Sequence, residues 1–374
     1  MDIDMKNCNS TPINILARLV LVLTSVLPAM TGRAADKGDA GESPPSVLSL
    51  DGEATGATFS PDGKFLASES RTAVTIWDLV AGKRLVDFPA KRCANGLIFT
   101  PDSKLLVGGS QEAQATILTW DVPGREPAAT LKVRNGLQGL PRLAVSPDSK
   151  SVAVFTAVLK NKKSVTEMLF LDLATGNELA AVEMDFNPSI TDMAYSPDGQ
   201  LLAISRLQGN DGPPLVVFDA VKGVIVAGLK SPQNNISSVN FSPDGRRLLA
   251  CGFNAMEAWE TVSQKLLNPA PEKGEFFGQD WARLSADGKT LLTSGCYGLS
   301  FYDLQTFKRI RSIALTGNMR CLAVSRDNKR AAFSVAQRFI KVFDLGTPAS
   351  GPARLNALDG DKAPATPIGS QLKP

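Results

Sequence analysis

Short apolar runs, each cut off by a turn signal, recur along the chain from about residue 46 to residue 358. A typical unit opens with an apolar triplet such as Ala57-Thr58-Phe59, Leu97-Ile98-Phe99 or Met193-Ala194-Tyr195, which predicts a short inner strand. A Pro-Asp-Gly type of turn follows. Proline presets φ at the first central position, aspartate suits the second, and glycine accepts the positive φ that closes the hairpin. A second run, Phe65-Leu66-Ala67 or Leu201-Leu202-Ala203-Ile204, predicts a second strand. A third ends on an aromatic-acid step, as in Val74-Thr75-Ile76-Trp77-Asp78, and a glycine turn such as Ala81-Gly82-Lys83 or Thr175-Gly176-Asn177 leads to a fourth. The runs are nearly continuous rather than alternating, so both faces of each sheet are expected to be buried, as when blades stack around an axis.

Two motifs count the units independently. The first is Ser60-Pro61-Asp62-Gly63, then Thr100-Pro101-Asp102-Ser103, Ser146-Pro147-Asp148-Ser149, Ser196-Pro197-Asp198-Gly199, Ser242-Pro243-Asp244-Gly245, Ser285-Ala286-Asp287-Gly288 and Ser325-Arg326-Asp327-Asn328. The aspartates are spaced by 40, 46, 50, 46, 43 and 40 residues, a propeller-blade period. The second motif is Trp77-Asp78, Trp120-Asp121, Leu171-Asp172, Phe218-Asp219, Trp259-Glu260, Tyr302-Asp303 and Phe343-Asp344. Both point to an all-β, seven-bladed β-propeller of four-stranded antiparallel blades.

These motifs resemble the WD40 repeat family over residues 46–358. The resemblance implies four strands per blade and a ring closed by strand sharing between the termini. Val47-Leu48-Ser49-Leu50-Asp51-Gly52 and Arg354-Leu355-Asn356-Ala357-Leu358-Asp359-Gly360 both suit the outermost strand of the last blade, and family habit favours the N-terminal segment. One departure matters. The family staples each blade with a His–Ser–Asp–Trp network, and this chain contains no histidine. Trp77, Trp120 and Trp259 are therefore expected to keep their places without that partner. The repeats also share the SPDG-rich character of TolB-like propellers.

Composition narrows the function. Histidine's absence removes the commonest general base and metal ligand, and Ser-His-Asp and Cys-His catalysis with it. A net charge of +3 exerts no pull toward nucleic acid. Leu19 to Met30 is an apolar run too short to span a bilayer but suited to a signal peptide. Gly32 and Ala34 then stand at the −3 and −1 positions of a cleavage site. The reading is a signal at 1–34, a propeller at 46–358 and a disordered tail at 359–374, in a secreted bacterial member of the family. An uncleaved anchor competes, and either Met1 or Met5 is the start. Cys93, Cys251, Cys296 and Cys321 are too few for a disulfide framework, and Cys251, Cys296 and Cys321, in predicted strands or at their ends, are expected to be buried thiols.

Asp62, Asp102, Asp148, Asp198, Asp244, Asp287 and Asp327 serve every repeat equally, so they read as structural. Candidate partner-binding residues lie where one repeat differs from its siblings. Phe276, Phe277 and Trp281 crowd the entrance to the sixth unit, with Tyr297 in the next loop, and aromatics concentrate at binding hot spots. They either meet a partner or plug the space between blades. Arg283 interrupts an apolar inner strand. It either faces a ligand or pairs with an acid. Lys160, Asn161, Lys162 and Lys163 form a basic hairpin tip. The leading expectation is a monomeric, exported scaffold that binds a protein, peptide or envelope polymer through its top face, with no catalytic residue, cofactor, metal or nucleic acid. A lactonase-like or quinone-dependent propeller enzyme, and an intracellular assembly scaffold, are the alternatives.

Overall fold

In the computed structural model, residues 46–51, 54–90, 93–111, 115–133, 141–161, 163–184, 190–206, 212–231, 236–252, 256–267, 279–295, 298–315, 319–335, 339–345 and 353–355 are described, some strand ends by backbone alone. The expected signal segment 1–34 and tail 359–374 lie outside them. All regular structure among the described residues is strand, in seven sheets that are antiparallel apart from one strand added to blade 6.

Blade 1 comprises Gly56–Phe59, Phe65–Glu69, Ala73–Asp78 and Lys83–Pro89, from inner to outer strand. Blades 2 to 4 repeat the plan, with inner strands Cys93–Phe99, Arg142–Val145 and Ile190–Tyr195. Blade 5 has Ile236–Phe241, Arg247–Gly252 and Met256–Glu260, and its outer strand shrinks to one bridge between Trp259 and Leu266. Blade 6 starts at Gln279–Leu284 and blade 7 at Met319–Val324.

The two terminal segments do not compete. Ser46–Asp51 pairs antiparallel with Phe339–Asp344 and becomes the outer strand of blade 7. Ala353–Leu355 goes elsewhere, adding a parallel fifth strand to Arg309–Leu315 of blade 6. The ring is thus closed by the N-terminal segment.

The core is divided into seven apolar clusters, one at each junction between blades. The closing junction joins Leu50, Ala323, Ile340 and Val342 of blade 7 to Phe59, Leu66 and Trp77 of blade 1. Each large side chain buried there is worth about 1.5–3 kcal/mol. The nearly continuous apolar runs follow from this arrangement, since both faces of every sheet meet a neighbour.

The Ser-Pro-Asp-Gly turn is built alike in every blade. The hydroxyl of Ser60, Thr100, Ser146, Ser242, Ser285 or Ser325 donates to the aspartate two residues on at 2.6 Å, and that of Ser196 does so at 2.5 Å. The same carboxylate oxygen accepts the backbone N–H two residues further on, from Lys64, Lys104, Lys150, Gln200, Arg246, Lys289 or Lys329. The fourth turn residue is left-handed throughout, at φ 71 for Gly63 but also 62 for Ser103, 63 for Ser149 and 56 for Asn328. Ser103 and Ser149 have a use for their side chains. Each accepts the aspartate N–H of the preceding blade's turn, Asp62 or Asp102, at 3.1 Å.

Candidate functional site

The repeated acids are held by the fold. Hydrogen bonds from the Ser146, Ser196, Ser242 and Ser285 hydroxyls, then from backbone N–H groups, hold Asp148, Asp198, Asp244 and Asp287 below the ordinary carboxylate range. Partial burial pushes Asp62, Asp102 and Asp327 upward, but the bonds from Ser60, Thr100 and Ser325 and from backbone win, and these too lie low. The acids of the aromatic-acid step cap the next turn. Asp78, Asp172, Asp219 and Asp303 each accept two backbone N–H groups there.

The three repeat tryptophans have separate fates. Trp77 is not left without a partner, because its indole N–H donates to the Ser68 hydroxyl at 2.9 Å. The Arg84 guanidinium lies 5.1 Å from its ring centroid. Trp120 stacks on Phe88 of the preceding blade, with centroids 5.9 Å apart. Trp259 is buried, and its N–H has no acceptor among the described residues.

A polar network links the inner strands of blades 3 to 6. Arg142 Nε donates to the Ile190 carbonyl of blade 4 at 3.2 Å. Asp192 Oδ2 accepts the Ser238 hydroxyl and the Val239 N–H of blade 5, both at 3.0 Å. Asn240 Nδ2 donates to the Ala282 carbonyl of blade 6 at 3.1 Å. Burial pushes the Asp192 carboxyl above its ordinary value, opposed by the Val239 N–H, the charge of Arg283 and the Ser238 hydroxyl. Burial lowers the Arg142 guanidinium, and the Asp192 charge opposes that shift.

Arg283 is exposed on the inner strand of blade 6 and forms no hydrogen bond or ion pair among the described residues. It acts on Asp192 through its field, between the two expected roles. Trp281 lies on the same strand, described by its backbone only; Phe276, Phe277 and Tyr297 lie outside the described residues. At the hairpin tip Lys160 Nζ meets Glu183 at 2.8 Å and Glu167 at 3.9 Å, while Lys162 lies outside the described residues and Lys163 is described by its backbone only. Cys251 is a buried free thiol, pushed up to about 12 by burial first and then by the Glu257 and Asp192 charges. Among the described residues, no group of three or more Cys, Asp or Glu side chains is placed to hold a metal ion.

Sequence reasoning missed Arg142, Asp192 and Glu69. The usable signal was positional. Arg142 and Asp192 interrupt a place that is Gly56 and Gly96 in blades 1 and 2. Glu69 stands where blades 4 and 6 carry Ser205 and Ser294. It is 7% exposed, and burial alone pushes its carboxyl up to about 7.

Seven blades, the twin motifs and the surviving serine–tryptophan bond define a WD40-type seven-bladed propeller. The sequence pattern of the family described as Eukaryotic translation initiation factor eIF2A matches residues 146–298, less than half of the chain. Serine-threonine kinase receptor-associated protein of Mus musculus is 25% identical over 269 residues, covering 69% of this chain and 68% of the relative. The protein of that name from Gallus gallus is 25% identical over 303 residues, covering 79% and 78%. A chain in the Crystal Structure of Mitotic Checkpoint Complex superposes with a TM-score of 0.65 over 87% of this chain and 100% of its own. At 14% identity that likeness shows the fold alone.

Proposed function

We propose that this propeller is an interaction scaffold that receives a protein or peptide partner on the ring's top face, where each blade passes to the next, and along the inner strands that run from it. The observation that carries the reading is Arg283, an exposed guanidinium on an inner strand with no hydrogen bond or ion pair among the described residues. In the same ring all seven turn aspartates are occupied by their own hairpins. A planar, permanently charged donor in that position suits recognition of carboxylate or carbonyl groups on a bound chain. The relatives' name describes association with a receptor kinase, and association with another protein is what carries over. The chain's lack of histidine supports a binding rather than a catalytic role. The apolar run at Leu19 to Met30 supports export, with a mature chain beginning near Ala35.

Crosslinking capture with wild type, Arg283→Ala and Trp281→Ala tests the scaffold reading, with Phe276→Ala and Phe277→Ala testing the aromatic patch. Loss of a specific crosslinked partner in Arg283→Ala is expected. Equal recovery by every variant overturns the reading. N-terminal sequencing of the mature protein tests export, and an intact N-terminus overturns it.

A further inference from the structure

Blades 1 and 4 place a carboxyl in the same corner by different routes. In blade 4 it belongs to Asp192 on the inner strand, whose neighbour on the second strand is Ser205. In blade 1 the corresponding pair is Gly56 and Glu69. Glu69 reaches back across the pair, and its Oε1 lies 2.6 Å from the point a Cβ on Gly56 would occupy. The Glu69 carboxyl therefore stands where a side chain such as that of Asp192 would begin.

The corners differ in what the next blade offers. Asp192 receives the Ser238 hydroxyl and the Val239 N–H. The corresponding residues of blade 2 are Gly96 and Leu97. Gly96 is exposed at φ 96, and a Cβ built on it would meet nothing within 4 Å. Glu69 Oε2 is buried and has no hydrogen-bond partner among the described residues. Among the described residues Glu69 forms no ion pair: Gly56–Phe59 and Cys93–Phe99 carry no charge, Ala73–Asp78 carries only Asp78, at its far end, and Met319–Val324 of blade 7 brings Arg320. A carboxylate in this position is already stripped of water, so much of the usual cost of desolvating one partner of an ion pair does not fall on the binding step.

We propose that Glu69 is the anchor of a subsite, opening beside Gly96 between blades 1 and 2, that takes the cationic head of an arginine or lysine side chain on a bound partner. The inference rests on the scaffold reading and specifies the partner's chemistry. A guanidinium or ammonium group supplies the donors that Ser238 and Val239 give Asp192, together with the charge that strengthens them. The absence of a side chain at Gly96 leaves room for it, while the space at Gly56 is filled by the Glu69 carboxyl itself.

The test is a titration of the full chain with methylguanidinium chloride, and with methylurea as the uncharged analogue of the same shape, followed at the backbone amides of Thr55, Glu69 and Gly96 by NMR. Saturable shifts are expected with methylguanidinium and not with methylurea. Glu69→Gln should weaken the response by at least about tenfold, the value of one charge-assisted hydrogen bond. Glu69→Ser, which installs the residue that blades 4 and 6 carry at this position, should do the same without lowering the melting temperature. No saturable response in wild type, an equal response in both variants, or an equal response to methylurea overturns the subsite alone. Unchanged capture by every variant of the preceding section overturns the scaffold reading instead.

Discussion

The Trp77 indole N–H donates to the Ser68 hydroxyl at 2.9 Å, with both side chains buried inside blade 1. In blade 5 the corresponding pair is Trp259 and Ala250, and that indole N–H has no acceptor among the described residues. Leaving a buried donor unsatisfied costs about 1–3 kcal/mol. Ser68→Ala should therefore destabilise by about that amount, and Ala250→Ser should stabilise by about 1 kcal/mol. Denaturant unfolding of the two variants checks both signs. A stabilising Ser68→Ala would show that the bond contributes nothing.

The left-handed turn residues should respond to glycine in opposite ways. Ser103 sits at φ 62 but accepts the Asp62 N–H of the neighbouring blade. Asn328 sits at φ 56 with both polar side-chain atoms buried and unpartnered among the described residues. Asn328→Gly relieves strain and removes the stranded amide, so a gain of about 1 kcal/mol is expected. Ser103→Gly gives up an inter-blade bond and should lose about 0.5–1 kcal/mol, after relief of strain and the added freedom of the unfolded chain. Midpoints of chemical unfolding separate the two, and equal gains in both would remove the bond's role.

Glu69 gives the fold a pH dependence of unusual sign. Its pKa is raised in the folded state, so its contribution is complete below the ordinary glutamate value of 4.5 and is lost as pH rises through about 7. That interval corresponds to about 3 kcal/mol. The turn aspartates act in the other sense, because their folded values lie below 3.8 and their contribution fades only in stronger acid. The stability difference between wild type and Glu69→Gln, followed from pH 4 to 8, isolates the glutamate. It should shift by about 3 kcal/mol against wild type as pH rises. A flat difference would mean that the carboxyl is solvated.

Much of the architecture was legible because its determinants are local. The Ser-x-Asp hydroxyl bond spans two residues, as from Ser60 to Asp62, and the positive φ belongs to the fourth turn position itself. A motif built from such short-range contacts repeats in sequence whenever it repeats in space. The candidate site was far less legible. Asp192 reaches Ser238 46 residues away, and the Asp62 N–H reaches Ser103 41 residues away. Which residues face one another across a junction depends on how two blades align, and no local pattern records that.

From the sequence alone came the number of blades, the chemistry of every inner turn and the loss of the histidine staple, since each is written within one repeat. Tertiary structure decided that Ser46–Asp51 closes blade 7 while Ala353–Leu355 joins blade 6. It also decided that Trp77 finds Ser68 where Trp259 meets Ala250 at the corresponding position, and that Glu69 stands opposite Gly56. Similar local patterns were compatible with each alternative. The outcome turned on which neighbour packing brought into reach, and a buried polar group is satisfied or stranded by that neighbour alone.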